Sequence, residues 1–246
     1  MAETLIIAHR GASRQAPENT LPAIEAALEA GADVVALDLQ GSQDHVPLVL
    51  ADNRLDRTTN GAGLRASQLT AKEVQALDAG SWFAPNFKGA SVPTLAEALK
   101  VLGKRARLLL LFPEVRSEMP LLQEALKALK GRAKPGDDLM LFPESEGLKA
   151  FRALAPEFGC ALALGEKIEG WMHLEKAARL GLKVVRPFRA QINSDLVRKA
   201  HAKGICVYAH FADEESEMKD LLGMRVDGIV TGRPAELKKL LAVSRA

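Results

Sequence analysis

The sequence contains few cysteines and no long apolar segment. Its 246 residues include two cysteines, Cys160 and Cys206, and both lie inside short apolar runs. We therefore expect small buried hydrophobic residues rather than a disulfide or a metal site, which favours a reducing compartment. No stretch approaches the roughly eighteen apolar residues of a membrane span, and the first apolar run is too short for a secretion signal. These absences predict a soluble, cytoplasmic protein.

An excess of charge of one sign is also missing. The chain has 33 basic and 31 acidic residues, a net charge of +2, without a basic block or a basic stripe interleaved with aromatic residues. We therefore expect neither a nucleic acid nor an anionic membrane as a partner, but a small-molecule substrate. None of these features predicts the oligomeric state.

Short apolar runs alternate with amphipathic stretches along the whole chain. The eight candidate strands are Thr4–His9, Asp33–Leu39, Arg107–Phe112, Asp138–Phe142, Cys160–Leu164, Lys183–Pro187, Ile205–Phe211 and Asp227–Thr231. With 48% hydrophobic residues, a chain of this length can form one large core. The alternation predicts an α/β fold, a closed (β/α)8 barrel that occupies residues 1–246 as a single domain.

The segment after the second candidate strand departs from this alternation. The run from Pro47 to Ala51 follows Leu39 after only a few turn-forming residues, too few for a parallel crossover, so we predict a β-hairpin. Residues 52–93 are polar and rich in glycine. They are predicted to form an insertion over the C-terminal mouth of the barrel, where such folds carry function.

Six motifs resemble those of the glycerophosphodiester phosphodiesterases. They are HRG at His9–Gly11, PENT at Pro17–Thr20, LDRTTNG at Leu55–Gly61, LDAGSW at Leu77–Trp82, PTL at Pro93–Leu95 and DGIVTGRP at Asp227–Pro234. The resemblance extends over almost the whole chain. It implies a TIM barrel with an insertion after the second strand. It also implies hydrolysis of glycerophosphodiesters to an alcohol and glycerol 3-phosphate, with a divalent cation and two histidines.

Three reactive residues match the pattern of this family. The resemblance implies that His9 is an acid/base histidine, Arg10 the phosphate-binding arginine and Asp38 a metal-ligand carboxylate. Alternation along the second strand places Asp38 on the same face as Ala36. One departure from the family pattern is His210, which stands where the family has a tryptophan.

Other reactive positions of the family carry different residues. Ala36 and Leu111 stand in place of two metal carboxylates, Ala51 in place of the second histidine and Pro113 in place of a lysine, while Glu114 is a candidate for a displaced carboxylate. Magnesium and calcium need several oxygen ligands, so one remaining carboxylate is too few. We therefore expect no metal and no other cofactor, and impaired phosphodiester hydrolysis.

These replacements are interpreted as a relined pocket in a repurposed or engineered enzyme. The expected reaction is metal-free proton abstraction, such as a Kemp-type elimination on a small aromatic substrate, by the catalytic candidates Asp38, His9 and His210. The candidate substrate-binding residues are Arg10, Ala36, Ala51, Leu109, Leu111, Met140 and Phe142. Two alternatives stay open: a phosphodiesterase with weak or residual activity on glycerophosphodiesters, and an inactive pseudoenzyme or binding module.

Overall fold

The computed structural model describes residues 3–113, 119–130, 132, 137–163 and 165–243. The strands are β1 (Leu5–His9), β2 (Val34–Gly41), β3 (Pro47–Val49), β4 (Arg107–Leu111), β5 (Leu139–Phe142), β6 (Gly159–Leu162), β7 (Val184–Val185), β8 (Cys206–His210) and β9 (Gly228–Thr231). The helices are α1 (Leu21–Glu29), α2 (Ala71–Gln75), α3 (Leu95–Leu102), α4 (Met119–Leu129), α5 (Ser145–Leu154), α6 (Gly170–Arg179), α7 (Ser194–Ala202), α8 (Glu215–Gly223) and α9 (Pro234–Val243).

Eight of the strands form one parallel sheet in the order β6-β5-β4-β2-β1-β9-β8-β7. The sheet curves into a nearly closed barrel, with β6 and β7 at the two ends of the hydrogen-bonded order. Strand β3 pairs with β2 in the antiparallel direction, so the predicted hairpin is confirmed. The predicted α/β TIM barrel is confirmed as well. Because the strands are parallel, their carboxyl ends all meet at one face of the barrel, where barrel enzymes carry their sites.

Alternate residues of the strands separate two apolar layers. The side chains inside the barrel are Ile7, Val34, Ala36, Leu109, Leu139, Leu141, Ala161 and Val230. The intervening residues pack outward against the helices in a larger cluster that includes Phe112, Met140, Phe142 and Phe151. The register places His9 beside Ala36 and Asp38 beside Leu111. The interior is therefore narrow and apolar below the ends of the strands.

The helix ends follow ordinary capping chemistry. Helix α1 begins after Thr20 with Pro22 in its first turn, and the chain leaves it through Gly31, whose φ is +78°. At the start of α3, the Thr94 hydroxyl accepts a hydrogen bond from the Glu97 backbone N–H while the Glu97 carboxylate accepts one from Thr94. Such caps satisfy backbone groups that a helix leaves without partners, and they fix where each helix meets its strand.

Residues 52–93 build a small apolar cluster of their own beside the barrel. Its buried members within the segment are Leu55, Ala66, Ala71, Val74, Ala79 and Val92. Leu48 and Leu50, at the end of the hairpin, complete the cluster. Asp78 anchors the later part of the segment by accepting hydrogen bonds from the backbone of Gly80, Ser81 and Gly89. These bonds lower the pKa of Asp78 below its ordinary range. The segment therefore has a defined structure.

Within the part of the chain that the structure describes, none of the helices has the length and apolar character needed to cross a lipid bilayer.

The buried ion pair between Asp138 and Arg132 gives a first test of the fold. Asp138 accepts a hydrogen bond from the Leu108 backbone at 2.7 Å and pairs with Arg132 at 2.7 Å, joining β4 to the start of β5. We expect Asp138→Asn to lower the free energy of unfolding by about 3 kcal/mol, because it leaves a mostly buried guanidinium without its counter-charge. Urea unfolding measures this change.

The matched control is Asp195→Asn, which removes the same charge from an exposed pair on α7. Exposed ion pairs contribute little, so its effect should stay within about 0.5 kcal/mol. Equal effects of the two substitutions would contradict the structural role of Asp138.

Candidate functional site

A small pocket opens at the carboxyl ends of the barrel strands. It is lined by His9, Arg10, Ala36, Leu37, Asp38, Leu109, Leu111, Leu141, Arg186, His210 and Val230. The ionisable residues sit at strand ends, while leucine, alanine and valine close the pocket floor. The structure thus brings together the three predicted catalytic residues and four of the predicted substrate-binding residues: Arg10, Ala36, Leu109 and Leu111.

The backbone after β1 turns sharply and directs Arg10 into the pocket. Arg10 has a φ of +58° and Gly11 a φ of +80°. A Cβ at Gly11 would lie 2.4 Å from the Ala23 carbonyl oxygen, so only glycine fits there. Arg10 and Asn19 both adopt the left-handed backbone conformation, although neither is a glycine. The Asn19 N–H donates a hydrogen bond to the Arg10 carbonyl oxygen, 3.0 Å long. Such strained positions are typical of functional sites.

Asp38 is held by two neighbours rather than left free. Its carboxylate forms an ion pair with Arg10 Nε at 2.7 Å and accepts a hydrogen bond from Asn19 Nδ2 at 3.0 Å. The Asn19 side-chain oxygen in turn accepts a hydrogen bond from the Asp38 backbone N–H. The charge of Asp38 therefore orients Arg10, and Asn19 locks the end of β2 to the turn that precedes α1.

Glu18 links Arg10 to the insertion. It accepts a hydrogen bond from Arg10 at 2.7 Å and two from Arg57, at 2.7 and 2.9 Å. Arg57 also pairs with Asp52 at 2.6 Å. Burial alone would raise the pKa of Glu18, but the Arg57 hydrogen bonds and the Arg10 charge outweigh it and lower that pKa. The rim of the pocket is thus a fixed ionic network between β1 and residues 52–57.

Two histidine rings pack against each other in the pocket. The ring centroids of His9 and His210 are 5.2 Å apart in an edge-to-face arrangement. Phe211 stacks on His9, and Phe188 contacts His210. Burial, followed by the Arg10 charge, lowers the pKa of His9 to about 4. Burial and the Arg186 charge lower the pKa of His210 still further. Both imidazoles are neutral at pH 7.

Arg186 is a pocket residue that the sequence analysis missed. It follows β7 directly, is 8% exposed and lines the pocket opposite the β1 and β2 residues. Burial lowers the pKa of Arg186 to about 10, against the opposing effect of Asp38, so the guanidinium still carries its charge at neutral pH. The sequence feature that could have identified Arg186 as a pocket residue is its position, as a charged residue, at the end of the apolar run Lys183–Pro187. Glu18, Asn19 and Arg57 were also missed as site residues, although Glu18 and Asn19 belong to the PENT motif.

Three predicted substrate-binding residues lie elsewhere. Met140 and Phe142 belong to the outer apolar layer, and Phe142 stacks on Phe112 with ring centroids 4.9 Å apart. The prediction chose the wrong alternate face of β5, since Leu139 and Leu141 point inward instead. Ala51 is not among the lining residues. Its carbonyl accepts a hydrogen bond from Gln40 at the end of the hairpin.

The described residues of the pocket do not fit a divalent cation. Asp38 is the one carboxylate among the lining residues, and it is already paired with Arg10. Ala36 and Leu111 flank it and supply no oxygen ligand, while two arginines place positive charge where a cation would bind. No group of three or more His, Cys, Asp or Glu side chains able to hold a metal occurs among the described residues. Glu114, the candidate displaced carboxylate, lies outside them.

Comparisons with known proteins agree on one family. The sequence model of the glycerophosphoryl diester phosphodiesterase family matches residues 9–236. The chain is 31% identical to a glycerophosphodiester phosphodiesterase of Caldanaerobacter subterraneus over 97% of this chain and 98% of that protein. It is also 31% identical to a Bacillus subtilis glycerophosphodiester phosphodiesterase over 94% of this chain and 84% of that protein.

A solved structure gives the same result. An Oleispira antarctica phosphodiesterase, in complex with the product sn-glycerol-3-phosphate, superposes with a TM-score of 0.88 at 27% identity. The superposition covers 96% of each chain.

The expectation of a lyase that abstracts a proton from an aromatic substrate is therefore wrong. The matching family and the relatives are phosphoric diester hydrolases. The pocket also gives a physical reason, because Asp38 is committed to Arg10 and Asn19 instead of being a free base. In addition, Phe142, predicted to bind the aromatic substrate, faces the helices.

The buried imidazoles predict a loss of stability in weakly acidic solution. An unfolded histidine titrates near pH 6.5, whereas His9 in the folded protein titrates near pH 4. Between these values the unfolded state binds more protons, so the free energy of unfolding falls as the pH is lowered from 7 to 5. His9 alone contributes up to about 2 kcal/mol to this fall. Urea unfolding at the two pH values measures it.

The control for this prediction is His9→Gln, which cannot titrate. Its free energy of unfolding should change less between pH 7 and pH 5 than that of the wild type. An identical pH dependence in both proteins would show that His9 is not held neutral.

Proposed function

Because the chain belongs to the glycerophosphoryl diester phosphodiesterase family, we propose that it hydrolyses glycerophosphodiesters to an alcohol and glycerol 3-phosphate. The substrate is a small molecule, and no nucleic acid takes part. The observation that carries the proposal is the convergence of two neutral imidazoles and two guanidinium groups in one pocket at the barrel mouth. Cys160 and Cys206 are free thiols, consistent with action in the cytoplasm.

The pocket has the charge needed for an anionic substrate. Its described lining residues include two guanidinium groups and one carboxylate, so their net charge is positive. Arg10 is the first ligand for the phosphoryl oxygens, because Asp38 and Glu18 hold its guanidinium in one orientation at 2.7 Å each. A guanidinium binds phosphate oxygens through paired N–H donors, and a group fixed in advance loses little entropy on binding.

His9 is in the protonation state that a general base requires. Its pKa of about 4 leaves the imidazole neutral across the physiological range, so it can accept the proton of a water molecule that attacks phosphorus. The bond between phosphorus and the alcohol oxygen breaks as the new phosphorus–oxygen bond forms, and the proton that His9 has taken from water passes to the departing oxygen, which leaves as the alcohol. General-base assistance of this kind typically contributes on the order of 10²–10⁴ in rate. A bound phosphodiester anion raises the basicity of His9 by offsetting the Arg10 charge.

His210 is the second polar group available to the reacting atoms. Its Nδ1 is buried and has no hydrogen-bond partner in the described part of the chain. A neutral imidazole carries one N–H donor, so His210 can donate a hydrogen bond to the alcohol oxygen as negative charge develops there. Phe211 stacks on the His9 ring and Phe188 packs against the His210 ring, which limits the orientations that the two imidazoles can adopt.

The activity test uses glycerophosphocholine, with release of glycerol 3-phosphate followed by a coupled enzyme. The assay is run with added magnesium or calcium and again in EDTA. We expect His9→Gln to lower kcat by on the order of 10²-fold or more at an unchanged fold, because it removes the base. Arg10→Met should raise KM as well as lower kcat, because it removes a phosphate ligand.

The matched control is His201→Gln, which changes a histidine on α7 outside the pocket. His201 bonds to Asp227 at 2.8 Å, and its variant should keep wild-type kcat and KM. Absence of hydrolysis by the wild type under both metal conditions would overturn the proposed function. So would full activity of His9→Gln.

A further inference from the structure

Arg186 is a buried positive charge that has no counter-ion among the described residues. The residue is 8% exposed, its Nε is buried and has no hydrogen-bond partner in the described part of the chain, and it makes no ion pair with another described residue. Burying a charge without a partner is unfavourable, and buried charges in proteins are normally paired with a group of opposite charge. The guanidinium lines the same pocket as Arg10. Among the described lining residues, no carboxylate therefore balances the charge of Arg186.

The acidic groups nearby do not supply that charge. Asp38 is close enough to favour the charged form of Arg186, but its carboxylate is in ion-pair contact with Arg10 and accepts a hydrogen bond from Asn19. Glu18 is shared between Arg10 and Arg57. Both of these described carboxylates are thus already paired with a guanidinium other than that of Arg186, which points to an anionic ligand.

The same charges oppose a divalent cation. A magnesium or calcium ion in this pocket would lie near Arg10 and Arg186 and would have Asp38 as its one carboxylate among the lining residues. Such ions take six or more oxygen ligands, and Ala36 and Leu111 offer none. Phosphoryl transfer requires positive charge beside the phosphoryl oxygens, whether a metal ion or arginine provides it.

We propose that Arg186 and Arg10 together bind the phosphoryl group of the substrate, so that a phosphate ester binds here without a divalent cation. The identity of the ligand as a glycerol phosphate ester rests on the proposed function, whereas the need for an anion rests on the charges alone. Arg186 is then a substrate-binding residue, and it supplies the charge that a metal ion would otherwise bring. The apolar floor strengthens this interaction by keeping water away from the guanidinium.

The test is calorimetric titration of sn-glycerol 3-phosphate into EDTA-treated protein. We expect the wild type to bind in EDTA and Arg186→Met to bind about 10- to 100-fold more weakly, the usual effect of losing charge-assisted hydrogen bonds. Arg186→Lys keeps the charge but loses the planar fork, so its affinity should fall between the two. The control is Arg179→Met on the exposed face of α6, which changes the net charge equally and should bind as the wild type does.

Thermal unfolding separates this role from a structural one. Without ligand, Arg186→Met should melt at a temperature equal to or higher than that of the wild type, because it removes an unpaired buried charge. In EDTA, sn-glycerol 3-phosphate should raise the Tm of the wild type and leave that of Arg186→Met nearly unchanged. A lower Tm for the variant, with an undiminished ligand-induced increase, would assign Arg186 a structural role and overturn the proposal.

The metal requirement of binding, measured beside the activity assay, separates failure of the arginine site from failure of the proposed function. Binding of sn-glycerol 3-phosphate that requires added magnesium or calcium would overturn the arginine site while leaving phosphodiesterase activity intact. Binding in EDTA that depends on Arg186, in a protein that does not hydrolyse glycerophosphocholine under either metal condition, would support the arginine site and overturn the proposed function. The two failures are therefore distinguishable.

Discussion

The carboxylate of Asp38 is the constraint on which the arrangement of the pocket depends. It lies at the end of β2, and it holds Arg10 Nε at 2.7 Å while Asn19 closes its other side. These contacts fix a left-handed turn after β1 that would otherwise be unfavourable for arginine. Because the Asp38 charge is used on Arg10, the second guanidinium, that of Arg186, has no ion-pair partner among the described residues, and its Nε has no hydrogen-bond partner there. The Asp38 carboxylate thereby orients the Arg10 guanidinium and is not available to pair with Arg186.

The apolar interior of the barrel amplifies these charges. Ala36, Leu109 and Leu111 lie directly below the ionic groups and exclude water from that side. Electrostatic interactions are stronger where water is excluded. Burial, together with the nearby arginine charges, keeps His9 and His210 neutral by lowering the pKa of each. The insertion adds a second layer at the rim, since Arg57 holds Glu18, which in turn holds Arg10.

Much of the fold could be predicted from the sequence because the barrel repeats one simple pattern. The eight candidate strands match the observed ones to within a few residues, and alternation correctly placed Ala36 and Asp38 inside the barrel. The same reasoning chose the wrong face for Met140 and Phe142. In the run Leu139–Phe142 every residue is apolar and both faces are buried, so alternation carries no information about which residues point inward.

The site was harder to predict because its charges come from distant parts of the chain. Arg186 lies at the end of a strand of only two residues, and its role appears only when β7 stands across the barrel from β1 and β2. The sequence showed that oxygen ligands were missing at Ala36 and Leu111 but not that a guanidinium occupies the same pocket. Reading the absent carboxylates as the loss of phosphate chemistry led to the wrong reaction class.

The most direct test of this account is a crystal structure of the protein grown with sn-glycerol 3-phosphate and EDTA. The account predicts phosphate oxygens within hydrogen-bond distance of both Arg10 and Arg186, beside the His9 ring. It would be contradicted by a phosphate bound away from Arg186. It would equally be contradicted by crystals grown with calcium in which an ion joins Asp38 to a carboxylate of residues 114–118.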